Sequence, residues 1–124
     1  MKTESLRPDL SPHPEQTTAV VHHFVDGEVV VVLTGDLDCA GVELVENEVR
    51  WAVAQANESV TIDCSGVGFV DSSGLRLLVQ AESMAACRRE HFQLRACRPQ
   101  LRSLLRIAGL DESMYGTEVD AQPE

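Results

Sequence analysis

The chain has 124 residues and a mass of 13.6 kDa, a length that suits one compact domain and leaves no room for two. Apolar residues make up 44% of it, enough to build a core without a disulfide or a metal ion. The 20 acidic and 10 basic residues give a net charge of −10, which argues against direct binding of nucleic acid. No apolar run is long enough to span a membrane and no apolar signal core follows Lys2, so we expect a cytoplasmic location.

Lysine and cysteine usage excludes further kinds of site. Lys2 is the only lysine, which excludes the lysine of a phosphate-binding loop, of a Schiff base or of a response-regulator phosphorylation site. The four cysteines lie 25, 23 and 10 residues apart along the chain, without the close spacing of zinc and redox sites. We therefore expect four reduced thiols and neither a metal ion nor another cofactor.

The N-terminal quarter of the chain predicts a tail followed by a hairpin. Residues 1–16 contain three prolines and no apolar period, which predicts a flexible tail. The segments Thr17–Val25 and Glu28–Thr34 are rich in β-branched residues and flank Asp26-Gly27, a dipeptide typical of a tight hairpin turn. Val29–Leu33 is continuously apolar, which predicts a strand covered on both faces.

A helix and a strand are predicted next. Apolar residues at three- and four-residue spacing predict a first helix, with Asp38 as its N-cap and Asn57 as its stop. Trp51 lies within this helix, and we expect it to have a packing role. Ser59–Cys64 is predicted as a buried strand, after which two glycines are expected to loosen the chain into a loop.

The remaining elements complete an alternating pattern. A second helix is predicted over Ser72–Arg88, a strand over His91–Cys97 and a third helix from Pro99 to Gly109. The order is therefore β-β-α-β-α-β-α, which predicts a single α/β domain with a mixed sheet packed against helices. We expect this domain to cover residues 17–115 and an acidic tail to cover residues 116–124.

The segment most informative about function runs from Asp63 to Leu78. A buried strand and a glycine-rich loop are followed there by Asp71-Ser72-Ser73-Gly74, which opens the second helix. The first amides of a helix lack partners within the helix and carry the positive end of its dipole, so a hydroxyl at this place lies in a position that favours anions. The same residues would serve equally as an ordinary N-cap. The pattern alone leaves both interpretations open.

A second acidic motif, Gly35-Asp36-Leu37-Asp38, follows the second strand. Paired carboxylates can bind a metal ion, but a calcium loop needs a longer run of acidic positions, and capping or solvation also explains Asp36 and Asp38. Catalytic serine chemistry is not indicated, because Ser65 lacks the preceding glycine of a nucleophile elbow and no histidine shows a partner pattern. These residues therefore do not indicate a serine hydrolase.

The two motifs together resemble those of STAS-domain anti-sigma factor antagonists. The resemblance rests on Gly35–Asp38 and on Phe69-Val-Asp-Ser-Ser-Gly-Leu75, and the order of elements extends it from Val20 to Leu110. It implies a protein that has no catalytic activity of its own. It also implies that an anti-sigma factor, itself a serine kinase, phosphorylates Ser72. The unphosphorylated protein would bind that kinase and free the sigma factor for transcription, the phosphorylated protein would release the kinase, and a serine phosphatase would reset the switch.

The resemblance also implies which residues engage the partner. They lie in the two motifs and are Asp36, Asp38, Asp71, Ser73, Gly74 and Arg76. Two other functions remain open at this point. One is a STAS scaffold or adaptor in a signalling, lipid or small-molecule pathway that switches no sigma factor. The other is an enzyme with Ser72 as its nucleophile, which a serine-reactive probe would label.

Overall fold

A computed structural model of the chain describes residues 17–116. The predicted order of elements and the single α/β domain with a mixed sheet are confirmed. The strands are β1 (Ala19–Val25), β2 (Glu28–Leu37), β3 (Ser59–Val70) and β4 (His91–Arg95). The helices are α1 (Cys39–Ala54), α2 (Ser72–Cys87) and α3 (Pro99–Ile107), and a short 3₁₀ turn follows at Glu112–Met114. The predicted tail over residues 1–16 and residues 117–124 of the predicted C-terminal tail lie outside the described residues.

The sheet has the spatial order β1-β2-β3-β4. β1 and β2 form the predicted antiparallel hairpin, whose turn residues Asp26 and Gly27 have φ values of 47° and 89°. β3 runs parallel to β2, and β4 runs parallel to β3. Both crossovers proceed in the same direction across the sheet, so α1 and α2 pack side by side on one face. This topology places the starts of α1 and α2 next to each other, beside the carboxyl ends of β2 and β3.

Burial in β2 follows the two-residue period of a strand. Val29, Val31 and Leu33 face the helices and are fully buried, whereas Val30 and Val32 lie on the opposite face and are only half-buried. The prediction that this strand is covered on both faces is therefore wrong. A continuous apolar run does not distinguish one covered face from two, because valine is also favoured at half-buried strand positions.

Two details of α1 differ from the sequence-based expectation. Trp51 does pack, but at the surface: it is 53% exposed, and its ring lies against the rings of His22 and Phe24, with centroid separations of 5.5 and 6.3 Å. The helix also ends at Ala54, before the predicted stop at Asn57, because the next residue already forms the C-cap. Neither difference alters the face that α1 presents to the sheet.

β3 does not end at Cys64, where the sequence predicts its end. The strand continues to Val70 and remains paired with β2, with two interruptions in register that bring Gly66 opposite Thr34 and Val70 opposite Leu37. The glycines that predicted a loop lie instead within an irregular strand, as is typical of β-bulges. As a result, the end of β3 lies directly alongside the end of β2.

All four cysteines are free thiols, two of them buried and two exposed. Cys64 on β3 and Cys97, which follows β4, contact each other in the core, and their hydrogen bond together with burial raises the pKa of the Cys64 thiol well above its ordinary value. The strand β4 ends at Arg95 rather than at Cys97 as predicted. Sequence spacing could not reveal this pair, because the pairing of β3 with β4 creates it.

We expect the melting temperature of the purified protein to be the same with and without a thiol reductant. The physical reason is that no disulfide joins the described cysteines, so a reductant has no cross-link to remove. Differential scanning calorimetry on paired samples tests this. A melting temperature that falls by several degrees on reduction would contradict the expectation, and the Cys97→Ala variant would then show whether Cys64 and Cys97 were the linked pair.

Candidate functional site

The two predicted acidic motifs each begin a helix. The Asp38 carboxylate accepts a hydrogen bond from the Gly41 amide at 2.8 Å and caps α1, as predicted. The Asp71 carboxylate accepts from the amides of Ser73 at 2.8 Å and Gly74 at 3.3 Å and caps α2. Both side chains therefore satisfy amides that have no partner within their own helices.

The structure brings the two motifs together. One carboxylate oxygen of Asp36 accepts a hydrogen bond from the Phe69 amide at 2.9 Å, which links the end of β2 to the end of β3. The Asp71 amide donates to the Leu37 carbonyl oxygen at 3.2 Å, which ties the start of α2 to the same turn. The turn at residues 35–38 and the first turn of α2 thus form one continuous surface.

Two buried glycines allow the helices to start so close to this turn. A Cβ placed on Gly74 would lie 2.5 Å from the Leu37 Cβ and closer still to the Leu37 carbonyl oxygen. A Cβ on Gly41 would overlap the Asp36 carbonyl oxygen and the Thr18 hydroxyl oxygen. Gly74 therefore lies beneath the surface and supports the site through close backbone packing.

The other predicted site residues reach the surface to different extents. Ser72 and Arg76 are exposed, and Ser73 is half-buried. The carboxylate residues Asp36, Asp38 and Asp71 are also half-buried. The serine that follows Asp71 directly is thus the more accessible of the two hydroxyls on the first turn of α2.

A groove between α1 and α2 continues this surface. It encloses an open cavity of about 240 Å³. Its lining comes from both helices and comprises Cys39, Val42, Glu43, Glu46, Arg50, Ser73, Arg76, Leu77 and Gln80. Arg50 crosses the groove, with its guanidinium 3.2 Å from Glu46 and 3.4 Å from Gln80. Ser73 and Arg76 were predicted as site residues, whereas the acidic wall of α1 was not.

The sequence-based prediction missed Glu43 and Phe69. Glu43 lies on α1, and only the side-by-side packing of the two helices brings it to the same groove as Arg76. Phe69 is 52% exposed even though strand alternation from the buried Val67 would turn it inward. The register shift opposite Gly35–Leu37 reverses that alternation, and Gly68 is the sequence signal that could have indicated it, since a glycine within a strand is typical of a bulge.

The described part of the chain offers no site for a metal ion and no membrane span. Residues 17–116 contain no group of three His, Cys, Asp or Glu side chains arranged to hold a metal ion. No helix within those residues is both long enough and apolar enough to cross a lipid bilayer.

The chain matches a known domain family and several solved structures. Residues 21–116 match the family model described as "Mlab, STAS domain". An anti-sigma factor antagonist from Mycobacterium paratuberculosis is 26% identical, with 86% of this chain and 92% of that chain covered and a TM-score of 0.70. RsbS from Moorella thermoacetica is 27% identical, with 74% and 79% covered and a TM-score of 0.62.

Phosphorylated SpoIIAA from Bacillus has the same fold, with 24% identity, 78% and 88% of the two chains covered and a TM-score of 0.65. A comparison with proteins of curated function found no significant match. The matches therefore show the family and the fold of this chain.

Proposed function

The chain belongs to the STAS-domain family, and from this premise we propose that it is an anti-sigma factor antagonist controlled by phosphorylation of Ser72. Unphosphorylated, it binds an anti-sigma factor that is a serine kinase, and sigma-factor-dependent transcription proceeds. Phosphorylated, it releases that kinase. Its similarity in structure to an anti-sigma factor antagonist over 86% of its length supports this role.

The observation that carries the proposal is the position of Ser72. It is exposed at the first residue of α2, directly after the capping Asp71 and on the surface that joins both motifs. A kinase can reach its hydroxyl without unfolding the domain. Ser73 is half-buried, its amide is bound by Asp71, and it lines the α1–α2 groove. We assign Ser73 to partner contact for that reason, and Ser72 to phosphorylation.

We assign the partner-binding surface to the joined motifs. Its members are Asp36, Asp38, Asp71, Ser73, Gly74 and Arg76, of which the buried Gly74 acts by holding the turn against Leu37. A phosphate on Ser72 adds about −1.5 to −2 charges to this surface. Because three carboxylates already lie there, a partner packed over it would have to desolvate the added charge and oppose further repulsion. Release on phosphorylation follows from that cost.

The test is phosphorylation by candidate anti-sigma kinases with ATP, followed by tandem mass spectrometry. We expect the phosphate on Ser72, because its hydroxyl is exposed and follows Asp71 directly. The matched variants are Ser72→Ala, which should abolish incorporation, and Ser73→Ala, which should retain it. Phosphate found mainly on Ser73 or on another residue would overturn the assignment.

We propose that a serine phosphatase acts on the phosphorylated form and restores binding. We also propose that the protein has no catalytic activity of its own, so a serine-reactive probe should leave Ser72 unlabelled. The cytoplasm is the compartment in which these partners would meet it.

The second candidate is a STAS adaptor that switches no sigma factor. The description of the matching family favours it, because that description names Mlab and no sigma factor. Such an adaptor would use the same surface for a partner in a signalling, lipid or small-molecule pathway. Identification of the main partner by affinity purification and mass spectrometry separates the two, since an anti-sigma kinase supports the first candidate and its absence among the partners supports the second.

A further inference from the structure

The amides of Ser73, Gly74 and Leu75 at the start of α2 are already engaged by the protein itself. The Asp71 carboxylate accepts from the amides of Ser73 and Gly74, and the Leu75 amide donates to the Asp71 carbonyl oxygen at 2.9 Å. These are the groups that ordinarily bind an anion at a helix start. A phosphate on Ser72 would therefore find these three amides occupied, and a nearby cationic side chain would bind it more strongly than the Ser72 amide alone.

Arg76 is the basic residue of α2 that lies nearest to Ser72 in the sequence. It lies four residues after Ser72 on α2, and side chains at this spacing are neighbours on a helix surface. It is exposed, and it makes no hydrogen bond or ion pair with any of residues 17–116. Three other arginines have partners elsewhere: Arg50 binds Glu46, Arg88 binds carbonyl oxygens at the end of α1, and Arg95 lies near Asp63.

Arg76 also belongs to the groove between α1 and α2. On α2 the groove is lined by residues 73, 76, 77 and 80, which form one face, and Ser72 lies beside that face. Arg76 is thus placed between the groove and the Ser72 hydroxyl, and its long side chain can turn to either. In the groove it stands across from Glu43, with which it forms no ion pair.

From this placement, and resting on the proposed phosphorylation of Ser72, we infer that Arg76 clamps the phosphate and is thereby withdrawn from the groove. The guanidinium presents a fork of donors that fits two phosphate oxygens. An anion placed four residues before a cation on a helix is also the favourable order. In the unphosphorylated protein the same guanidinium faces the bound partner.

The clamp adds a second cause of release to the charge of the phosphate. When Arg76 turns to the phosphate, its positive charge leaves the end of the groove nearest the start of α2. The Glu43 carboxylate remains there. A partner that presents a carboxylate or a carbonyl oxygen to Arg76 then loses that contact and meets an acidic wall instead. The change is local to one side chain, so the fold of the domain is retained.

The test uses the full chain with phosphoserine installed at position 72 during synthesis, so that no kinase or partner is required. Phosphorus NMR follows the second ionisation of the phosphate as the pH is varied. A nearby guanidinium favours the dianion, so the midpoint should be about 0.2 to 0.4 pH units lower in the parent than in Arg76→Gln. Arg76→Lys, which keeps the charge but not the fork, should lie between them. Arg106→Gln on α3 is the matched control and should titrate like the parent, since Arg106 is also exposed and unpaired among the described residues.

Equal midpoints in the parent and in Arg76→Gln would overturn the inference, because the guanidinium would then not hold the phosphate. All variants carry the same Asp71 and the same helix start, so those groups cancel in the comparison. The outcome does not depend on which kinase modifies the protein. A failure of the clamp is therefore distinguishable from a failure of the proposed function, which the kinase experiment decides.

Discussion

Replacing Gly74 with alanine is expected to lower the melting temperature by roughly 10 °C, which corresponds to about 2–3 kcal/mol of stability for a domain of this size. The added methyl group would lie 2.5 Å from the Leu37 Cβ and 3.0 Å from a methyl carbon of Val70. It would also overlap the Leu37 carbonyl oxygen, which is backbone and cannot turn aside. The first turn of α2 would then have to move away from β2, and the hydrogen bond from the Asp71 amide to Leu37 would be strained.

The sign of this effect distinguishes packing from helix propensity. In an open helical position alanine would stabilise the protein by about 1 kcal/mol relative to glycine. The control is Ser72→Ala on the same turn, where the side chain is exposed and the melting temperature should change by no more than about 3 °C. Thermal unfolding followed by circular dichroism measures both. A Gly74→Ala protein as stable as the parent would show that α2 does not start as close to Leu37 as described.

The order of elements could be predicted because its signals are local. β-branched runs indicate strands, and spacings of three and four residues indicate helices. Asp26-Gly27 indicates a turn, because both residues must adopt positive φ, and both do. The capping role of Asp38 is local in the same way, since it depends on an amide only three residues ahead.

The contacts that build the site could not be predicted, because each joins distant parts of the chain. Asp36 binds the Phe69 amide only because β3 remains paired with β2 beyond Cys64. Gly66 and Gly68 favour a loop when they are judged from their neighbours in sequence. In the structure Gly66 lies opposite Thr34, and Gly68 faces the Asp36 carboxylate at a distance that leaves no room for a Cβ.

Exposure was the least predictable property. Val30 and Phe69 are both apolar, yet one is half-buried and the other is 52% exposed. In each case the outcome depends on which face of the sheet the helices cover and on where the register shifts. The motifs at residues 35–38 and 69–75 could be identified from their resemblance to a family, but their contact through Asp36 and Leu37 is a result of the fold.

Ser72→Asp is expected to fold as well as the parent and to bind the anti-sigma partner roughly tenfold more weakly, a change of about 1.4 kcal/mol. A carboxylate near a helix start is favoured by about 0.3–1 kcal/mol, which offsets repulsion from the adjacent Asp71. Arg76 lies four residues ahead and offers the carboxylate a partner on the exposed surface. At the interface the same charge must be desolvated, so the partner binds less tightly. The loss is partial, because aspartate carries about half the charge of a phosphate.

Melting temperature and dissociation constant, measured on the same samples, separate the effect on the partner from the effect on folding. Ser72→Ala should bind like the parent while accepting no phosphate, because the hydroxyl is exposed and caps nothing. Ser83→Asp is the matched charge control: it adds the same carboxylate to an exposed position of α2 that is remote from the motifs, and it should leave the affinity unchanged. Parent-like affinity of Ser72→Asp would contradict the electrostatic account of release. Weak binding accompanied by a large fall in melting temperature would instead show that the start of α2 does not accommodate the charge. The loss of affinity would then reflect unfolding and not desolvation at the interface.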